Sequence, residues 1–386
     1  PLNAVTLGTA RTSDHPWIFR KMLRQADPRI RPGDRVAILD RDGAPVGQGL
    51  FNPRSQIALR VLSDRMDPVI DDAWLAARVA EAARLRRETL GLDAVTDAYR
   101  VIHAESDGLS GLIVDRFGPV LSVEIFSLGI QHCLPALKDA LLARFPGCRI
   151  HARLDKRSAE LEGMAPLPSE PPPPAVEIRE HGLKFRVDFA TGHKTGFFCD
   201  QRDNRQALMP FARGKRVLDA FCYTGGFGIA AAAGGAAEVT SVDLDEKALE
   251  VAKHNATLNG ARIDFEQADV FNYLRAAASA GRRFDVIVLD PAKYARAKEG
   301  VPAALRSYED LNRLALGLLE PGGILLTCSC SGAVPEEAFA AAVHRASLMA
   351  GRPLDILMKR GAAADHPVSL ACPETAYLKA LFCRAR

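Results

Sequence analysis

Apolar and polar positions follow three different rhythms along the chain, and each rhythm predicts a different kind of structure. Over residues 1–66, short β-branched runs are broken by turn residues at Pro32-Gly33-Asp34 and Asp42-Gly43. An Asp-Gly pair between apolar segments is a hairpin signal, because glycine accepts the positive φ of a tight turn. A small all-β module is therefore expected there. From about Asp72 to Leu90 the apolar residues Trp74, Leu75, Val79, Ala82 and Leu85 recur near helical spacing, and Gly91 ends the run. Two strand-like runs follow (99–106 and 111–127), then a helix over about Leu134–Arg144 and a strand over Arg149–Leu154. These elements make residues 67–175 a mixed α+β domain. Four consecutive prolines, Pro171 to Pro174, cannot continue a helix or a central strand and predict a stiff extended joint.

Beyond the joint, residues 176–386 alternate between strand and helix patterns. Strands are expected at Arg216–Phe221, Val239–Val242, Ile263–Gln267, Phe284–Leu289 and Ile324–Ser329, with helices beginning near Gly226, Asp245, Val270, Ala304 and Pro335. Such alternation predicts an α/β fold, with a mostly parallel sheet covered by helices on both faces.

Composition narrows the class. Hydrophobic residues make up 48% of the 386 and charged residues 25%, as in a globular protein with filled cores. No apolar run approaches the roughly 18–20 residues that span a bilayer, and residues 1–11 lack a signal-peptide layout. A cytoplasmic location with no membrane partner is expected. The eight cysteines include no C-x-x-C pair, and only Cys328 and Cys330 lie close together, which argues against a zinc site or a disulfide framework. Net charge is only +3, yet Lys and Arg exceed Asp and Glu by five within residues 1–60. A basic β-module on near-neutral remainders points to contact with a polyanion, although a solvated basic face accounts for the surplus almost as well.

The run 216–235 reads as a buried strand, a glycine-rich turn and a small-residue helix, the layout that lets a ligand approach backbone at a helix N-terminus. The next strand ends at Asp243, twenty-four residues after Asp219, where a carboxylate suits the ribose hydroxyls of a nucleoside. An N-cap is the plainer role for an acid here, and Asp245 is the better candidate for it. The glycines (Gly225, Gly226, Gly228) come too late for a dinucleotide fingerprint, so the turn suits a nucleoside with a charged amino-acid tail. Asp269, just after another strand, is placed to accept from an adenine amino group.

Two further features carry chemistry. Asp290-Pro291 ends a strongly apolar strand, placing a carboxylate at the crevice mouth of an open α/β sheet; a turn carboxylate is the plainer reading. Cys330 follows the end of another buried strand, between Ser329 and Ser331 and before Gly332. Buried cysteine is usually an inert small hydrophobe. Cys330, at the strand end, faces the crevice, whereas Cys328 lies deeper on the same side, so Cys330 is the preferred reactive thiol.

These residues resemble the bacterial 23S rRNA cytosine-C5 methyltransferases of the large-subunit type I kind. The resemblance runs through His15–Phe19, residues 105–118, 181–205, 221–228, 284–291, 322–332, 364–368 and 377–379. It implies a PUA module at residues 1–66, a central domain at 67–175 and a class I (Rossmann-like) methyltransferase domain at 176–386. It also implies S-adenosylmethionine as methyl donor, with Gln201, Arg202, Asn204, Asp219, Tyr223, Thr224, Gly225, Gly226, Asp243, Asp269, Val270 and Asp290 around it. Cys330 is then the nucleophile, assisted by Asp290 and Lys293. The family usually carries Asp-Pro-Pro-Lys-Phe where this chain has Asp290-Pro291-Ala292-Lys293-Tyr294. Loss of the second proline is expected to loosen that loop. The implied partner is 23S rRNA, naked or within an assembling large subunit, and homodimerisation stays open. A guanine N-methyltransferase, which needs no thiol, and a non-catalytic RNA-binding assembly factor are the rival readings.

Overall fold

The computed structural model describes residues 2–11, 13–190 and 196–386, so part of the motif at 181–205 lies outside the described residues. The chain divides into two compact units, Pro1–Val176 with Asp365–Thr375, and Glu177–Ala364 with Ala376–Arg386.

The first unit holds two sheets. A six-stranded sheet runs in the order Trp17–Phe19, Ile57–Ser63, Pro45–Phe51, Arg35–Leu39, Ala4–Leu7, Leu23–Ala26. It encloses Val5, Ile18, Val36, Ile38 and Leu59. The expected hairpin joins Arg35–Leu39 to Pro45–Phe51, with Gly43 at φ 85° and the Asp40 carboxylate accepting from the N–H groups of Asp42 and Ala44, both at 2.9 Å. A four-stranded sheet, Arg149–Leu154, Val120–Ile125, Leu112–Phe117 and Ala98–His103, carries helices Asp72–Arg84 and Leu134–Arg144. Leu75, Val79, Leu137 and Leu141 bury the apolar stripes of those helices. The Asp71 carboxylate caps the first helix on Trp74 N (2.9 Å), and the helix widens into a π turn at Leu85–Thr89 before Gly91 stops it at φ 62°.

Residues Asp365–Thr375, expected within a single C-terminal domain, group with the first unit instead. The reason is a set of long-range hydrogen bonds. The Asp365 carboxylate accepts from Arg100 N and its carbonyl from the buried Arg86 guanidinium, both at 2.8 Å. The Ser106 hydroxyl donates to Pro367 O at 2.6 Å, and His15 Nε2 lies 3.1 Å from the Glu374 carboxylate.

The second unit opens on a two-stranded hairpin, Val176–Glu180 with Leu183–Val187, and is built on a seven-stranded sheet. Numbered within this sheet, its strands are β1 (Arg216–Ala220), β2 (Glu238–Asp243), β3 (Asp264–Gln267), β4 (Phe284–Leu289), β5 (Leu319–Ser329), β6 (Leu354–Arg360) and β7 (Lys379–Ala385). Their order is β3-β2-β1-β4-β5-β7-β6. All neighbours are parallel except β7, which runs antiparallel to both β5 and β6. The helices are α1 (Arg202–Ala212), α2 (Gly226–Ala233), α3 (Glu246–Leu258), α4 (Val270–Ser279), α5 (Val301–Leu316) and α6 (Glu336–Ala350). Leu218, Ile287 and Leu325 pack on one face with Leu274 of α4, Tyr308 of α5 and Phe339 of α6. Val217, Val286 and Leu326 pack on the other with Leu208 of α1 and Phe227 of α2. This two-sided burial explains why the central strands read as continuous apolar runs. Helix α1 and strands β6 and β7 are elements beyond the sequence expectation. Helix α1 opens on a polar run and contains Pro210, and β6 leaves Ile356 and Leu357 exposed. Among the described residues no helix is long and apolar enough to cross a membrane.

Candidate active site

The strand order reverses direction between β1 and β4, and in open α/β sheets the crevice at that switch point binds ligands. The turn after β1 is strained. Phe221 and Tyr223 sit at φ 63° and 48°, where non-glycine residues cost about 1–3 kcal/mol each and cluster at ligand sites. Surrounding bonds hold them there: Tyr223 N donates to the Asp243 carboxylate at 2.8 Å, and Cys222 N to Val242 O at 3.0 Å. Asn255 donates to Thr224 O at 3.0 Å, and Gly225 takes φ 84° as the N-cap of α2. At Gly228 a Cβ would stand 2.5 Å from Ser241 Oγ, so only glycine lets α2 lie this close to β2.

Asp219 lies buried beneath this turn. One carboxylate oxygen accepts from Gly228 N at 2.7 Å, and the other is buried with no partner among the described residues. Burial, opposed by that amide and reinforced by Asp290 and Asp243, pushes its pKa up to about 8. Asp243 ends β2 half-buried, its second oxygen accepting from Asp245 N at 2.9 Å. Asp245 is the N-cap of α3, accepting from Lys247 N and Ala248 N. Asp269 is the N-cap of α4, accepting from Asn272 N at 3.0 Å, and Val270 is the buried first residue of that helix. Asp269 is thus tied to backbone as well as facing the crevice end of β3.

Gln201, Arg202 and Asn204 open α1 and are all buried. Asn204 Nδ2 donates to Gln201 Oε1 (2.6 Å) and Gly361 O (3.0 Å), while its oxygen accepts from Arg360 Nε at 3.1 Å. One residue on, the buried Arg205 guanidinium forms a bidentate pair with Glu180 (2.7 and 2.6 Å) and lies over the Phe197 ring, 4.7 Å from its centroid. It also underlies the glycine turn, since a Cβ on Gly226 would meet Arg205 Cδ at 3.1 Å. Asp200 accepts from the Tyr377 hydroxyl and, through its carbonyl, from Ala363 N.

Asp290 and the two thiols stand at the ends of the adjacent parallel strands β4 and β5. Desolvation first, then the nearby Asp200, pushes Asp290 up to about 7. Cys328 is wholly buried, and burial followed by the field of Asp290 drives its thiol well above the ordinary range. Cys330 is half-buried at the crevice edge, its Sγ 3.8 Å from Pro291 O. Lys293 is exposed on the loop after Asp290. That loop is anchored despite Ala292: Ser331 Oγ accepts from Tyr294 N and Ala295 N, both at 3.1 Å, and the Tyr294 ring packs on Tyr308 with centroids 4.9 Å apart. The expected loosening is met by a hydroxyl clamp from the neighbouring strand.

Three contributors were not singled out from sequence. The Glu180–Arg205 pair joins residues far apart in the chain, and Tyr308 reads as an ordinary core aromatic. Lys379 is the third, part of the 377–379 motif but given no role there: it is 5% exposed, and its Nζ donates to Ser331 O at 2.7 Å and Tyr377 O at 2.9 Å. A lysine heading the apolar run of β7 was the available signal.

A buried carboxyl oxygen lacking a partner, a strand-end carboxylate and a strained glycine turn together fit a nucleoside bearing a cationic amino-acid tail. Comparison with known proteins agrees. Residues 150–349 match a family described as S-adenosylmethionine-dependent methyltransferase, and residues 11–64 match a PUA-like domain. The ribosomal RNA large subunit methyltransferase I of Tolumonas auensis is 44% identical over 379 residues, covering 96% of this chain and 95% of that protein. Its counterpart in Shewanella denitrificans is 41% identical over 378 residues, with 96% and 95% covered. Among solved structures, SMU.776 complexed with SAH superposes with TM-score 0.84 at 20% identity over 99% of both chains. A chain described as a SAM-dependent methyltransferase from Streptococcus mutans superposes with TM-score 0.82 at 19% identity, again over 99% of both, so the fold is shared from end to end.

Proposed function

The chain belongs to the ribosomal RNA large subunit methyltransferase I family, and from that premise we propose that it methylates C5 of a cytidine in 23S rRNA through a covalent adduct with Cys330. The observation that carries this reading is the pairing of a strand-end carboxyl, Asp290, with a half-buried thiol, Cys330, on adjacent parallel strands.

S-Adenosylmethionine supplies an electrophilic methyl on a sulfonium when bound. Asp219, Asp243 and Asp269 are the carboxylates that would hold it, Asp219 toward the cationic tail, Asp243 toward the ribose and Asp269 toward the adenine. Gln201, Arg202 and Asn204, at the start of α1, would complete its surroundings. The remaining chemistry belongs to the target base. C5 of cytosine is a poor nucleophile until a thiolate adds at C6 and converts the ring to an enamine. Cys330 forms the S–C6 bond. Asp290, its pKa raised to about 7, would meet the N3 and amino edge and offset the charge that develops there. After C5 takes the methyl, its proton leaves to a base, the S–C6 bond breaks, and the thiolate and the aromatic ring are both restored. A base in duplex must be unstacked first, so the substrate is single-stranded or opened RNA. The PUA-like module, with its surplus of five basic residues over 1–60, supplies phosphate contacts.

The test is methylation of 23S rRNA, naked and in assembling large subunits, followed by digestion to nucleosides and mass spectrometry. The label should appear in 5-methylcytidine. Label in a methylated guanosine would overturn the assignment.

A further inference from the structure

We propose that Lys379 is a positioning residue for the reaction: its buried ammonium, fixed to the backbone carbonyls of Ser331, next to the strand-end thiol, and of Tyr377, holds Cys330 as the thiolate. The inference rests on Cys330 being the nucleophile.

The geometry begins with strand register. Lys379 heads β7 directly opposite Ser329, the last residue of β5 and the neighbour of Cys330. Its side chain is withdrawn from solvent, and its Nζ donates to the carbonyl oxygens of Ser331 and Tyr377 at 2.7 and 2.9 Å. Those two bonds fix the ammonium beside the turn that carries the thiol. Among the described residues it makes no ion pair with a carboxylate, and its hydrogen bonds go to two neutral carbonyls. Burying an ammonium without a counter-ion is costly. A thiolate at Cys330 supplies the missing charge.

Three ionisable groups influence the ammonium. Cys330, Lys293 and Glu336 are its ionisable neighbours, and Cys330 in turn influences the phenols of Tyr294 and Tyr308. Glu336 is engaged with Lys359 at 3.0 Å, on the exposed side. Burial pulls the Lys379 pKa down to about 8, with Cys330 opposing that shift and Lys293 adding to it. Lys379 therefore stays mostly protonated at neutral pH, while a free thiol near pKa 8.5 would be only a few per cent ionised. Ionisation sends the thiol proton to solvent and leaves the ammonium proton in place, so no further reactant is needed. A purely structural lysine, tying β7 to the turn, would have no influence on the thiol's titration.

The experiment follows alkylation of Cys330 by iodoacetamide in the full-length, donor-free chain as a function of pH, read on the Cys330 peptide by mass spectrometry. In the unaltered protein the midpoint should fall below the free-cysteine value of about 8.5. Lys379→Gln keeps a hydrogen-bond donor but removes the charge, and should raise the midpoint by about one unit or more, a tenfold loss of thiolate at neutral pH. Lys379→Arg should keep it low, and methyl transfer by the variants should follow the same order while donor affinity is unchanged. A midpoint at or above the free-cysteine value in the unaltered chain overturns the proposal, and needs no variant to fold. Equal midpoints for the Gln variant and the parent overturn it as well. If Cys330→Ala methylates RNA normally, the nucleophile assignment fails, and the alkylation profile still reports separately on the lysine–thiol pair.

Discussion

The hydroxyl of Ser331 lies 3.0 Å from that of Tyr308 and at the same time accepts the backbone N–H groups of Tyr294 and Ala295. Ser329 Oγ completes the set, donating to the Tyr308 hydroxyl at 2.9 Å. One buried hydroxyl thus couples the loop carrying Asp290 to the strand carrying Cys330. With Ala292 after Pro291, the clamp supplies order that a second proline would otherwise supply through its fixed φ.

Ser331→Ala is expected to leave two amides, one buried and one partly buried, without an acceptor, at a cost of about 1–3 kcal/mol. Chemical denaturation should show that loss, and methyl transfer should fall while donor affinity holds. Unchanged stability together with unchanged turnover would mean that the loop is ordered by its other contacts alone.

The parts of this site that were legible in sequence are those set by local pattern. Asp243, Asp290 and Cys330 each end or follow an apolar run, so strand periodicity alone brings them to one edge of the sheet. Asp245 was readable as a cap because an acid one residue before a helical stripe has little else to do. What pattern does not encode is pairing at a distance. Lys379 meets Ser331 only because β7 folds back antiparallel to β5, and Glu180 meets Arg205 only across a hairpin and a helix. The excursion of Asp365–Thr375 into the first unit depends likewise on Arg86 and Arg100, more than 250 positions earlier.

Titration of the two crevice carboxyls has a definite sign. Asp219 and Asp290 have folded-state pKa values raised to about 8 and about 7, against about 3.9 unfolded. Between those limits the folded state binds more protons than the unfolded one, so stability of the donor-free chain should fall as pH rises from about 4 to about 8. Asp219→Asn should flatten much of that slope in thermal unfolding. A cationic donor favours the ionised carboxylates, so its affinity should rise with pH through the same upper range. Calorimetry in buffers of different ionisation heat should register proton release on binding; zero net release would show that neither carboxyl ionises when the donor enters.

Asp243 holds the strained Tyr223 amide and is also the proposed partner of the ribose hydroxyls. Asp243→Ala removes both functions and should weaken donor binding by about 1.5–3 kcal/mol, the range for hydrogen bonds to a charged acceptor. Asp243→Asn keeps an oxygen for Tyr223 N and should lose less. Equal losses in both variants would point to the charge rather than the turn as the main contribution, and no loss in either would remove Asp243 from the donor site.

The two thiols make the sharpest contrast. Cys330 is half-buried at the crevice edge, whereas Cys328 is sealed in the sheet with its thiol held well above the ordinary range by burial. Only a thiolate adds to C6, so environment alone favours Cys330. Cys330→Ala should abolish methyl transfer while leaving donor and RNA binding nearly intact, because the thiol acts once the base is in place. Cys328→Ala should retain substantial turnover, with its cost appearing as lost packing between β5 and its neighbours. RNA carrying 5-fluorocytosine at the target position should trap a covalent adduct on the unaltered protein and on Cys328→Ala: fluorine cannot leave as a cation, so elimination stalls with the S–C6 bond intact. The Cys330 variant should give none. An adduct that survives in Cys330→Ala and vanishes in Cys328→Ala would keep the C5 chemistry and move the nucleophile one turn of the pleat deeper; normal methylation by Cys330→Ala with no adduct from either thiol would exclude covalent catalysis and bring back a ring or amino nitrogen of guanine as the acceptor.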